Sequence, residues 1–184
     1  MNSILTYDAF RFYEINPQMI KIAANKSVFS FMSEAMCAID VVEGDARVML
    51  AREARQKDPL YDVLVIDAYA GDAVPYHLIT KEAVDLYLSR LKDDGILAMH
   101  VSNWHIDLLP VCKALAHAGG LYLYGIVSSG ASPLISGTIW VFMTRSPVRY
   151  PNDAAQKVRV IDWNNIKDYP APLDSRGSLL PLIR

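Results

Sequence analysis

No segment of the chain runs the roughly eighteen uncharged apolar residues that a membrane-crossing helix needs. The nearest approach, Leu108 to Ser129, is broken by Lys113, His117 and a glycine pair. A basic stretch leading into an apolar one is also missing near the start, so no secretory signal is expected and the chain reads as cytoplasmic. Cysteine is scarce. Cys37 and Cys112 stand alone, in a predicted strand and a predicted helix, which fits two reduced core residues and excludes a disulfide framework. Positive charge is not in excess either: 18 Lys and Arg, scattered, stand against 20 Asp and Glu. Nucleic-acid binding therefore has no electrostatic footprint.

Several motifs are missing too. Without a Gly-x-Gly-x-x-Gly there is no sign of a dinucleotide dehydrogenase. His77, His100, His105 and His117 have no metal-ligand spacing, so no metal is expected. Ser102 is outside any Gly-x-Ser-x-Gly elbow, which leaves a hydrolase triad without an anchor. His100, inside an apolar run, reads as a hydrogen-bonded core histidine.

What is present is a folded α/β pattern. Apolar residues make up 52% of the 184 and charged ones 21%, the balance of a globular domain. Phe10 to Ile15 reads as a strand. Asn16 and Pro17 then start a helix that turns Met19, Ile22 and Ala23 inward. Ala38 to Val42 is a second strand, followed by a charged helix from Arg47 to Gln56. Tyr61 to Ile66 runs Val63, Leu64, Val65 and Ile66 without polar alternation, as a strand buried on both faces does. Thr80 caps a helix with Ala83, Leu86, Tyr87 and Leu91 in period. Asp94-Gly95 turns into "ILAMHVSN", a fourth strand.

Asp107 caps the next helix, and Gly119-Gly120 ends it. Leu121 to Val127 and Thr138 to Thr144 are further strands, with a Gly/Ser/Pro loop between them. Beyond Arg145, Pro147, Pro151, Pro170, Pro172 and Pro181 mark an irregular tail. The domain is thus expected at 10–145, with 146–184 as tail and 1–9 as a remnant of something longer. Strands alternating with helices predict a parallel sheet with helices on both faces.

In such sheets ligands bind outside the carboxyl ends of the strands. Glu14, Asp45 and Asp67 fall at three successive strand ends, and Asn103 at the fourth. Glu14 suits a ribose, since one carboxylate accepts from both hydroxyls. Asp45 suits either an adenine amino group or the cap of the next helix, and taken alone it reads as a cap. Asp67 and Asp72 each read as site carboxylates or as ordinary turn residues. Tyr69 and Tyr76 bracket this acidic loop and are placed to wall a pocket.

"FRFYEINP", "VVEGDAR", "YDVLVIDAYAGDAVPYHLITKEA" and "GILAMHVSN" together resemble the catalytic domain of the spermidine synthase family, the polyamine aminopropyltransferases. The likeness is to its divergent bacterial spermidine synthase-like branch and runs from about Phe10 to Thr144. "LDSRGSLLPLIR" resembles that branch's C-terminal segment. The resemblance implies a Rossmann-like, class I methyltransferase-type fold. It implies that Glu14 holds the ribose of decarboxylated S-adenosylmethionine and that Asp45, with Ala46 beside it, meets the adenine. It implies that Asp67, with Asp72, serves the attacking amine.

The nucleoside is then a co-substrate and not a tightly bound cofactor, the acceptor is a small polyamine, and a homodimer is an open assembly. Methyl transfer from S-adenosylmethionine, or a non-catalytic nucleoside-binding or interaction module, are the alternatives. The chain departs from the family pattern in two places. Asp67 and Asp72 are separated by "AYAG" where the family has Asp-x-x-Asp. The Gly-rich loop and first strand that precede "FRFYEINP" in the family have no counterpart in the nine residues before Phe10. Ile4 to Tyr7 cannot replace that strand, because a parallel neighbour needs a crossover of about a dozen residues or more and only Asp8-Ala9 intervenes. An N-terminally truncated domain, and a poor catalyst by itself, is the expectation.

Overall fold

Backbone hydrogen bonds sort the strands into two ladders, one in each of two compact units, Met1–Lys57 and Asp58–Arg184. The computed structural model describes residues 9–69, 74–128, 137–148 and 159–183.

In the first unit β1 (Ala9–Glu14) and β2 (Ala38–Glu43) pair in parallel, with Phe10 opposite Ile39 and Glu14 opposite Glu43. The crossover carries α1 (Pro17–Ala23) and the single turn α2 (Phe31–Glu34). Asn16 caps α1 as its sequence predicts, accepting from the Gln18 N–H at 2.9 Å, with Pro17 in the first turn. α3 (Ala46–Gln56) is tied to β1 by Glu53, which is buried and accepts from Arg11 Nη1 at 2.8 Å and Tyr13 OH at 2.5 Å. Two expectations fail here. Met19 and Ile22 are exposed, because a two-stranded ladder offers α1 little apolar surface to lie on. Cys37 sits just ahead of β2 and is half-buried, whereas Cys112 is a core residue.

The second unit holds a five-stranded sheet in the order β3-β4-β6-β5-β7. β3 (Tyr61–Ile66) and β4 (Leu91–His100) are parallel and joined through α4 (Lys81–Arg90). The other neighbours are antiparallel: β6 (Thr138–Thr144) lies between β4 and β5 (Tyr122–Ser128), and β7 (Arg159–Val160) adds to β5. This corrects the wholly parallel expectation. The link from Ser128 to Thr138 is shorter than the roughly twelve residues of a parallel crossover, so β5 and β6 pair as a hairpin.

The core gathers Leu97 and Met99 of β4, Val141 and Met143 of β6, Val84 and Tyr87 of α4, and Val111, Cys112 and Leu115 of α5 (Leu109–Ala118). Thr80 caps α4 by accepting from the Ala83 N–H. Asp107 stands one residue ahead of the α5 cap position and accepts from Leu109 N–H at 3.2 Å. Arg90, at the end of α4, is buried and donates to the carbonyls of Asp58 and Pro59, which sets the entry into β3.

The proline-marked tail is held by backbone bonds. Lys81 N–H donates to Pro172 at 2.8 Å, and Asp107 N–H donates to Leu182 at 2.9 Å. β3 differs from its sequence reading. Leu64 and Ile66 are buried, but Val63 and Val65 are 52% and 54% exposed, because neither α4 nor α5 covers their face. Among the described residues no helix is long and apolar enough to cross a membrane.

Candidate functional site

The parallel register of β3 and β4 sets Ile66 opposite Met99. The next residue on each chain is polar, so Asp67 and His100 meet side by side at the carboxyl end of the sheet. Asp67 Oδ1 lies 2.8 Å from His100 Nδ1. On the other side of β4, the antiparallel register places Trp140 directly opposite His100. Their rings stack with centroids 4.8 Å apart and planes 14° from parallel. Tyr69 closes the histidine from a third direction, its ring edge-on at 5.2 Å. The Tyr69 hydroxyl lies 3.0 Å from the carbonyl oxygens of both His100 and Ser102, which share its one proton.

The second ring nitrogen, His100 Nε2, is 2.7 Å from Ser102 Oγ. Ser102 Oγ also accepts from the Ile139 N–H at 2.8 Å. An ionised carboxylate only accepts, so Nδ1 carries the proton and Nε2 accepts from the Ser102 hydroxyl. The direction is consistent along the whole chain: Ile139 N–H to Ser102, Ser102 O–H to His100, His100 N–H to Asp67. Its outer end is the carboxylate, whose side chain is 53% exposed against 20% for the histidine. Oδ2 of Asp67 has no partner among the described residues. The group offered outward is thus a carboxylate with one oxygen held and one open. Asn103, next along, is buried and spent on its own loop, accepting from the His105 and Ile106 N–H groups at 2.8 Å each.

Glu14, Asp45 and Ala46 lie in the first unit. Glu14 ends β1, and its Oε1 accepts from the Asn16 N–H at 2.7 Å while its carbonyl accepts from Gly44. Gly44 has φ 148°, a conformation that side chains other than hydrogen rarely take. Asp45 caps α3, accepting from the Val48 N–H at 3.0 Å, and Ala46 is the first residue of that helix. Asp72 lies outside the described residues. The Tyr76 hydroxyl anchors the tail by donating to the carbonyls of Leu173 and Arg176; burial, foremost, pushes its pKa up.

Among the described residues no cluster of three or more His, Cys, Asp or Glu is placed to hold a metal ion. A surface cavity of about 420 Å³ beside α5 is lined by none of these residues, and its charged pair is already closed, Lys113 meeting Asp168 at 2.8 Å.

His100 and Trp140 are the members of this cluster that sequence reading assigned elsewhere or passed over, whereas Tyr69 was expected beside the acidic loop. The core-histidine reading of His100 is right about its hydrogen bonds and misses their partner. The signal was the paired ending of two apolar runs, "VLVI" on Asp67 and "ILAM" on His100.

No family model and no curated protein matches the chain. Solved structures do. A probable spermidine synthase from Corynebacterium glutamicum ATCC 13032 matches with TM-score 0.58 at 13% identity, over 91% of this chain and 65% of that one. Human methyltransferase-like protein 13, solved in complex with SAH, matches with TM-score 0.57 at 17% identity, over 79% of this chain and 65% of its own. Spermidine synthase from Thermotoga maritima matches with TM-score 0.52 at 16% identity, over 87% of this chain and 53% of its own. The chain therefore spans about two thirds or less of the length of these relatives, and what it shares with them is the fold.

Proposed function

We propose that the chain is a transferase domain of the spermidine synthase type, moving an aminopropyl group from decarboxylated S-adenosylmethionine to a polyamine. The observation that carries this reading is Asp67: a half-exposed carboxylate at the end of a sheet strand, with Oδ1 held by His100 and Oδ2 without a partner among the described residues. A polyamine is cationic at neutral pH, and its nucleophilic nitrogen must lose a proton before it attacks the carbon next to the sulfonium. A fixed carboxylate attracts the cation, orients it and accepts that proton. Asp72 is proposed as the second carboxylate of the loop. For the nucleoside we assign the ribose hydroxyls to Glu14 and the adenine edge to Asp45 and Ala46. The nucleoside comes and goes as a co-substrate.

Methyl transfer from S-adenosylmethionine is the second reading, favoured by the nearly equal likeness to the human methyltransferase-like protein. Calorimetry separates the two. Decarboxylated S-adenosylmethionine is expected to bind more tightly than its parent, and spermidine or putrescine to bind in an Asp67-dependent way. In a catalytically competent form that also carries the N-terminal part of the family pattern, Asp67→Asn is expected to lower aminopropyl transfer on the order of 10²–10⁴-fold, the range of an acid–base group. Preference for the parent nucleoside with indifference to polyamines would replace this reading by the second.

A further inference from the structure

We infer that His100 is a positioning residue for Asp67, holding one carboxylate oxygen so that the other is presented to the cationic amine; the inference rests on the amine-transfer reading above. Four contacts fix the imidazole before any substrate arrives. Trp140 stacks on one face, Tyr69 meets it edge-on, Ser102 occupies Nε2 and Asp67 occupies Nδ1.

The carboxylate sets the tautomer. Asp67 only accepts, so the ring proton stands on Nδ1 and Nε2 accepts from the Ser102 hydroxyl, whose oxygen is itself held by the Ile139 N–H of β6. A carboxylate on a short, half-exposed side chain otherwise samples several rotamers, and each amine encounter would have to order it. A charge-assisted bond from a ring that cannot turn removes that freedom ahead of binding. The chain of donors is thus a device for aiming a carboxylate, anchored to the rigid β4–β6 ladder.

Two measurements test this. In the unmodified protein labelled with ¹⁵N-histidine, the His100 ring is expected to show a protonated-type Nδ1 and an unprotonated-type Nε2 resonance, identified by their loss in His100→Asn. The reverse tautomer overturns the inference and leaves the amine-transfer reading standing. Spermidine binding by calorimetry is the second measurement, on a conservative pair of variants. Asn sets an amide N–H close to where Nδ1–H stood, whereas Phe keeps the stack on Trp140 and loses the donor.

His100→Phe is expected to weaken spermidine binding about tenfold or more, and His100→Asn by no more than about threefold, with nucleoside affinity unchanged in both. A larger loss in His100→Asn than in His100→Phe would mean that the ring only fills space, and equal losses would mean that the N–H donor is not what matters; either would overturn the inference. If the parent chain shows the expected tautomer but binds no amine, the amine-transfer reading falls, and with it the presentation of Asp67 to an amine.

Discussion

Adjacent residues of β3 should lose very different amounts of stability on truncation. Val65 is 54% exposed and Leu64 7% exposed. Val65→Ala removes two methyl groups, worth about 0.8 kcal/mol each when buried. With half of that surface already in water, the expected loss is about 0.7 kcal/mol, and no closed cavity adds to it. Leu64→Ala removes three carbons, about 2.4 kcal/mol by the same scale, and leaves a cavity that brings the total to about 3–4 kcal/mol. Urea denaturation followed by tryptophan fluorescence reads the right part of the molecule, since Trp104, Trp140 and Trp163 all belong to the Asp58–Arg184 unit. A Val65→Ala loss equal to that of Leu64→Ala would show both faces of β3 covered, and would refute the open face described above.

Burial raises the Cys112 thiol pKa to about 12, against an ordinary 9.0. Stability should therefore fall as pH rises from about 9 toward 12, because the unfolded chain loses this proton first. A disulfide reagent at pH 8 should titrate Cys37 alone in the native protein and both thiols after denaturation. Glu53→Gln should cost about 1.5–3 kcal/mol by weakening the charge-assisted bonds from Arg11 and Tyr13. Faster hydrogen exchange in β1 and α3 is the readout. A Cβ on Gly125 would stand 2.6 Å from Ile161 Cδ1 and 2.8 Å from Trp163 Cζ2. Gly125→Ala should push the tail off β5, at about 1–3 kcal/mol, with a red shift of Trp163 emission.

The elements whose ends are set by local chemistry were legible in the sequence. Asn16-Pro17, Asp45 and Thr80 each announce a helix start, and each caps one. Tyr61 to Ile66 is a strand with the bounds its apolar run implies. What could not be read is what lies beside an element. Val63 and Val65 have the pattern of buried residues, yet exposure depends on a neighbour, not on a run of letters. The antiparallel insertion of β6 follows from a link too short for a parallel crossover, a length that alternation of strands and helices does not by itself reveal. Of the site, Asp67 was visible as a carboxylate out of place. His100 was not, because its role comes from register, which pairs it with Asp67 on one side and Trp140 on the other.

The two margins of the five-stranded sheet are finished differently. On one, the two-residue β7 covers Ile126 and Val127 of β5. On the other, β3 bonds to β4 alone among the described residues, and the run from Val63 to Ile66 contains no charge and no proline. Only Asp62, paired with Lys92 at 2.5 Å, stands guard at its start. A bare, β-branched margin of this kind is a template for strands from other molecules. Its consequence is colloidal: β3 is where concentrated solutions of this chain would begin to aggregate, and a lysine at Val63 or Val65 is the gatekeeper the natural sequence has left out.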